Sequence, residues 1–344
     1  MKRTVFPYDF SPYYPVGIQP CPMYVDVANR IYDRIKDMDI NLPYADNLKK
    51  EIAINAAIYY EDKMSGIGLW NAFVHKHQLA YKRPLPFFDD FEVLDENEVN
   101  AKEVELLVWI VLSRNYDDRF FNPLAMSESA ANHIMEVLTE DDDVDVNDSL
   151  YDFIYNEDVA NDYFKLKRVL IWLRRSYLLC SPLSDERFEE YLDSYLSRFS
   201  KGEAAYYAET TFSMRSEIGP MAEMPHLWLA DMYLENNMPG ESEKLTNLKY
   251  CQQDIFEVID ADSEYAVLKS SDDEDYKLKN VYPDIFYKGS YVCAALVKYA
   301  DNDWENNGVV FNSKKEMYDN KHEHQAELKR SYERVYPLYM KRTE

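Results

Sequence analysis

Glycine is scarce in this chain, with 8 residues in 344, where average usage would give about 24. Glycine supplies the left-handed backbone of tight turns and of loops that wrap phosphates. Its scarcity weighs against an all-β protein and against phosphate-cradling loops, and favours helices. The one Gly-x-Gly, Gly66-Ile67-Gly68, has Asn71 where a dinucleotide fingerprint needs its third glycine. No P-loop, G-x-S-x-G elbow or H-E-x-x-H occurs. Long apolar runs are missing too. The longest, Leu106 to Leu112, falls far short of the about 20 residues that cross a bilayer, so no membrane is expected. Basic charge is in deficit, 38 Lys and Arg against 63 Asp and Glu for a net −25, which excludes a binder of nucleic-acid backbone. The cysteines Cys21, Cys180, Cys251 and Cys293 form no C-x-x-C pair. No apolar leader follows Met1-Lys2-Arg3, because Pro7, Pro12, Pro15, Pro20 and Pro22 interrupt it. The thiols therefore read as reduced, in a cytoplasmic protein, with Cys180 and Cys293 as core residues.

What is present is apolar and aromatic residue in quantity, 47% and 15%, enough for a core and too much for a disordered acidic chain. A Pro- and Tyr-rich surface arm over 1–22 precedes a helical domain over 23–235. Tyr24, Val27, Ala28, Ile31 and Ile35 follow the i, i+3, i+4, i+7 template of a helix. Leu48, Ile52, Ala56, Tyr59 and Lys63 trace the next one. Asn100 and Glu103 have capping-box spacing ahead of the strongest core signal, Val104 to Leu112. A long helix is expected over Asp158 to Leu179, and Ser184 is the expected cap of the next. Residues 201–224 show no period and read as a connector, and 236–250 as a linker. From Ile255 the period shortens to apolar runs about ten residues apart with turn residues between them, the mark of a small β-barrel over 251–312. Five strands in that length fit an SH3-like or OB-like barrel, and the SH3-like form is the expectation. Ser313-Lys314-Lys315-Glu316 is a capping box that opens a C-terminal helix over 313–344, with Lys329, Arg330 and Arg334 suiting its negative pole. The fold class is α+β.

Residues able to carry chemistry are few. Glu61 and Asp62 close an amphipathic helix and are candidates for acid–base work, although neighbours on a helix point about 100° apart and one site can use only one of them. Glu223 and His226 have the Glu-x-x-His spacing of di-iron bundles. One such pair, interrupted by Pro225, does not make the four-carboxylate set, so no metal and no cofactor are expected. His75-Lys76-His77 and His322-Glu323-His324 place their rings on different helix faces. Asp141-Asp142-Asp143-Val144-Asp145 lacks the glycine and glutamate of a calcium loop. Trp70 and Trp228 complete the low-specificity binding candidates.

The order Ala56-Ala57-Ile58-Tyr59-Tyr60-Glu61-Asp62, Gly68-Leu69-Trp70-Asn71-Ala72-Phe73, Leu85-Pro86-Phe87-Phe88, Asn97-Glu98-Val99-Asn100, Glu105 to Trp109 and Asn122-Pro123 resembles a Bacteroidetes family of unknown function. The resemblance implies a bacterial, cytoplasmic protein with a helical middle and a β-rich C-terminal part, matched over most of the chain. It supplies no activity and no catalytic residue. The expected function is non-enzymatic protein or peptide binding, to which 30 tyrosines lend themselves. Two alternatives stand beside it. One is an enzyme with its site between helical and β-rich parts, using Glu61, Asp62, Glu223, His226 and Trp228. The other is an acidic DNA mimic or inhibitor of a basic protein.

Overall fold

The computed structural model describes residues 4–38, 45–88, 98–115, 124–140, 145–197, 199–280, 282–300 and 303–326. The acidic run at 141–144, Asn97, Asn122-Pro123 and the helix end with Lys329, Arg330 and Arg334 lie outside them. The chain is α+β and divides into two units. One comprises residues 1–197 with 212–246, the other 198–211 with 247–344.

The first unit is helical: α1 (Pro7–Phe10), α2 (Pro22–Ile35), α3 (Ala45–Met64), α4 (Leu69–Tyr81), α5 (Ala101–Arg114), α6 (Leu124–Leu138), α7 (Asp148–Tyr155), α8 (Glu157–Asn161), α9 (Tyr163–Leu173) and α10 (Pro182–Leu196). The chain continues through α11 (Lys201–Arg215), whose last residues return to this unit, then α12 (Pro225–Glu235) and α13 (Pro239–Thr246). α3 is the central element. It lies among α2, α4, α5 and α6, and it is buried on every side, from Leu48 and Lys49 through Asn55 to Glu61, Asp62 and Lys63. A helix without a polar stripe belongs inside. α2, by contrast, buries one face, including the expected Tyr24, Val27, Ala28, Ile31 and Ile35. Asn100 caps α5, its side chain accepting from Lys102 N at 2.8 Å, but the reciprocal box with Glu103 does not form, since Asn100 N meets the Tyr59 hydroxyl and Glu103 turns to Tyr59 and Lys63.

The N-terminal arm is held to the helical unit by buried side chains. Val5, Phe10 and Tyr14 are buried, and the Asn29 amide accepts from Thr4 N and Val5 N at 2.8 and 2.9 Å and donates to Val5 O at 2.8 Å. Several segments differ from expectation. Residues 201–215 form α11 instead of a connector. The buried stripe Ala204, Ala208 and Phe212 is narrow and mostly small side chains, which gives little periodic signal. The expected linker over 236–250 holds α13, with only Leu245 buried, and then the start of a strand. The long helix over 158–179 stops at Leu173 and continues as turns, Arg175 N to Trp172 O, Ser176 N to Leu173 O and Cys180 N to Ser176 O. Ser181, not Ser184, is the cap of α10, accepting from Ser184 N at 3.1 Å. Among the described residues no helix is long and apolar enough to cross a membrane.

The second unit is a five-stranded antiparallel sheet: β1 (Lys249–Ala261), β2 (Tyr265–Lys269), β3 (Asp275–Lys279), β4 (Tyr291–Lys298) and β5 (Glu305–Asn312), in the order β3-β2-β1-β4-β5. β1 is long enough to pair with β4 over Lys249–Glu257 and with β2 over Glu257–Ala261, bending at irregularities near Cys251/Asp254 and Val258/Asp260. Such irregularities increase twist, and the two edges meet. Leu278 bridges Trp304 in parallel, and Trp304 N donates to Lys277 O at 2.9 Å. Phe256, Val258, Leu268, Tyr276, Leu278, Phe286, Val292 and Leu296 fill the inside. A last helix, α14, covers 315–326, starting one residue later than the Ser313 capping box would place it. Tyr318 of α14 donates to Ser270 O at 3.0 Å and stacks on His322, while Lys321 pairs with Asp254.

Candidate functional site

The end of α3 carries three consecutive charged residues, Glu61, Asp62 and Lys63, all buried. The helical step of about 100° sends each to a different neighbour. Glu61 accepts from the Tyr14 hydroxyl of the arm and from Asn147 Nδ2, at the start of α7, at 2.8 Å. Asp62 accepts from Leu69 N at 3.0 Å, Trp70 N at 2.8 Å and the Tyr177 hydroxyl at 2.7 Å. It thereby caps α4 from seven residues upstream, a role that the left-handed Gly68 before the helix cannot fill with a side chain. A Cβ on Gly68 would lie 2.8 Å from Asn236 Nδ2. Lys63 donates to Asn71 Oδ1 at 3.1 Å and pairs with Glu103 at 3.3 Å, and Glu103 also accepts from Tyr59 at 2.5 Å. Burial pushes both carboxyls up, Glu61 to about 7, against the pull of their donors. The indole N–H of Trp70 and the Oε1 of Glu103 find no partner among the described residues. The sequence offers these two as acid–base candidates at a helix end, and in the fold both oxygens of each accept internal hydrogen bonds.

Glu223, His226 and Trp228 gather at the start of α12. Ile218 and Glu223 bridge each other, N to O at 2.8 and 3.2 Å, and close a turn over Gly219. Trp228 is buried and donates its indole N–H to Ile218 O at 3.0 Å. Lys76 of α4 lies 5.4 Å from the Trp228 ring and reaches Glu223 at 3.4 Å and Asp231 at 2.5 Å. Burial lowers the pKa of His226, and its Nδ1 has no partner among the described residues. The structure thus joins Asp62 to Trp70, and Glu223 to Trp228 through Lys76. No hydrogen bond or ion pair among the described residues joins Glu61 or Asp62 to His226. Among the described residues no group of three His, Cys, Asp or Glu side chains is placed to hold a metal ion.

The open chemistry of this unit lies elsewhere. Two cavities, of about 410 and 540 Å³, have Arg114, Cys180, Ser181 and Pro182 in common in their walls, and we take them as the two lobes of one groove. The polar lobe has Tyr13, Glu51, Arg174, Arg175 and Asp185 in its walls. The more apolar lobe has Trp109, Ile110, Leu178, Leu183 and Pro220, with Ser113 and Glu186 also in its wall. The groove exists because α9 ends early. The turns at 174–180 release carbonyls that a continuing helix would consume, and Arg114 takes two of them, Tyr177 O at 2.7 Å and Leu178 O at 3.4 Å, with Cys180 Sγ at 3.0 Å. All three acceptors are neutral, so they fix the guanidinium in place without an ion pair among the described residues, while the Glu51 carboxyl in the same wall feels its charge. Arg174 is paired, with Asp185 at 2.7 Å and over the Phe188 ring at 4.0 Å. Burial raises the pKa of the Cys180 thiol, which keeps it protonated and a poor nucleophile. A third cavity, of about 660 Å³, lies between Arg187, Glu190, Arg215 and Glu217, with Tyr191 and Met224 also in its wall.

None of the six sequence candidates lines these cavities. The groove was missed because its parts come from the arm, α3, α5 and the start of α10. The one local signal was Trp109 inside an apolar run taken whole for core. Trp109 and Ile110 are only half-buried.

No curated protein and no solved structure matches the chain. Residues 5–269 match the family model described as "Protein of unknown function (DUF3843)". That stretch takes in the whole helical unit from the arm onward and ends with β2, and the resemblance carried by Ala56 to Asp62 and Gly68 to Phe73 falls within it. The chain belongs to the DUF3843 family.

Proposed function

We propose that this protein is a non-enzymatic peptide-binding protein whose ligand lies in the two-lobed groove of the helical unit. One observation carries the reading: an apolar lobe and a charged lobe of ligand size adjoin along Arg114, Cys180, Ser181 and Pro182. Sites of a few hundred Å3 lined by apolar groups with a small number of placed polar ones are the usual form of ligand pockets. Trp and Arg, both present, are the residue types that dominate interface energetics. The commitment of Glu61 and Asp62 to internal donors speaks for binding over acid–base catalysis.

Affinity selection from a random library of soluble peptides tests the reading. Retained peptides should come off intact and should slow backbone hydrogen exchange over 109–114 and 178–186. Retention of none, protection confined to other segments, or recovery of cleaved or modified peptides would each reject it.

A further inference from the structure

Resting on that reading, we infer that the groove takes the free C-terminus of its peptide, with the α-carboxylate on Arg114 and an apolar last side chain in the lobe formed by Trp109, Ile110 and Leu183. Four features of the polar lobe favour an anion there, within a chain of net charge −25. Arg114 is held by two carbonyls and a thiol. These engage Nη2 and one Nη1 hydrogen, and leave Nε–H and a second Nη1–H to donate to a carboxylate. Tyr13 accepts from Asn55 Nδ2 at 3.4 Å, and burial keeps its own hydroxyl proton on, so it offers a second donor. The carboxylates of the lobe are partly answered by cations: Asp185 is matched by Arg174, and burial disfavours the charge on Glu51 against the pull of the Asn115 donor and of Arg114. The shared wall at Ser181-Pro182 is the start of the 15-residue helix α10, whose dipole adds positive potential.

The adjoining lobe explains why the carboxylate should end a chain and not sit on an Asp or Glu side chain. A terminal residue presents its carboxylate and its side chain from one Cα. One residue thereby supplies both the charge and the apolar group that two lobes sharing a wall call for, where an internal segment needs two. Leu183, 56% exposed, and the half-buried Trp109 and Ile110 give the apolar lobe an unfilled wall beside that rim.

The test uses the full chain and one library of N-acetylated octapeptides made twice, as free acids and as C-terminal amides, mixed and read by mass after capture. Free acids ending in Leu, Ile, Met or Phe should be enriched at least tenfold over their amides, and 0.5 M salt should narrow the ratio. Equal capture of acids and amides overturns the C-terminus inference and leaves peptide binding standing. Capture of neither overturns both. Because Arg114→Gln frees the Tyr177 and Leu178 carbonyls and can disturb the turns, Leu183→Asp serves as the second variant. With circular dichroism unchanged it should abolish capture of the acids, and undiminished capture would place the site elsewhere.

Discussion

The end of α3 and the Arg114 groove are both clusters of charge in the same helical unit, and they have opposite fates. At the end of α3 every carboxylate oxygen of Glu61 and Asp62 meets a donor from the same chain. In the groove, Arg114 has donors to spare and two lobes open beside it. A buried and perturbed acid is the usual flag of a catalytic site, yet here the flag marks the assembly of the fold. What distinguishes a functional group from a structural one is unspent bonding capacity facing solvent, more than burial or a shifted pKa.

The largest effect that would break this contrast is expected at Asp62. Asp62→Ala strips the cap from α4 and orphans Leu69 N, Trp70 N and the Tyr177 hydroxyl in one step. A loss of about 3–5 kcal/mol is expected, read as a drop in the urea midpoint. A loss under about 1 kcal/mol would mean that the acid is not structural and would return it to the list of functional candidates.

Next comes Gly219. Its φ is +70°, and a Cβ there would lie 2.4 Å from Leu179 Cδ2 and 3.2 Å from the Trp228 ring. Gly219→Ala should cost about 2–4 kcal/mol through backbone strain and overpacking. Gly17→Ala, at φ +92° with nothing within 4 Å, should cost only the strain. Calorimetric Tm values of the two variants separate the terms.

Glu61 gives a pH signature. Its folded pKa of about 7 lies above the usual 4.5, so the native state holds the proton more tightly than the unfolded chain. Its contribution is whole below about pH 4.5 and is lost as pH rises through 7. Over that window wild type should lose on the order of 3 kcal/mol relative to Glu61→Gln, measured as the divergence of the two stability–pH curves. Parallel curves would show that Glu61 stays ionised in the folded protein.

The smallest stability effect is expected where function should suffer most. Leu183→Asp should move the urea midpoint by no more than about 0.5 kcal/mol, because the side chain is exposed.

How much of this was legible depends on the range of the signal. α2, the Asn100 cap of α5 and the short-period β-rich stretch are written in neighbouring residues, and the structure has each of them. α11 hid behind Ala204 and Ala208, whose burial leaves a faint hydrophobic contrast. The early stop of α9 carries no Gly or Pro before Pro182, and the carbonyls it frees are met by Arg114, some sixty residues upstream. The candidate carboxylates Glu61 and Asp62 stand out in the sequence only as an acidic pair at a helix end, because their partners Tyr14, Asn147 and Tyr177 are spread along the chain.

The three consecutive charges of α3 also act as a key in a lock of fixed rotation. Each points along its own bearing to its own partner, so the helix can neither turn about its axis nor slide by one residue without misdirecting all three at once. A single-residue insertion between Leu48 and Tyr60 would swing Glu61, Asp62 and Lys63 by about 100° away from Tyr14, α4 and Glu103 together. Apolar surface alone tolerates such a shift, since one greasy face resembles another. The charged tip of the central helix makes the native packing of its neighbours the one arrangement in which every partner is met.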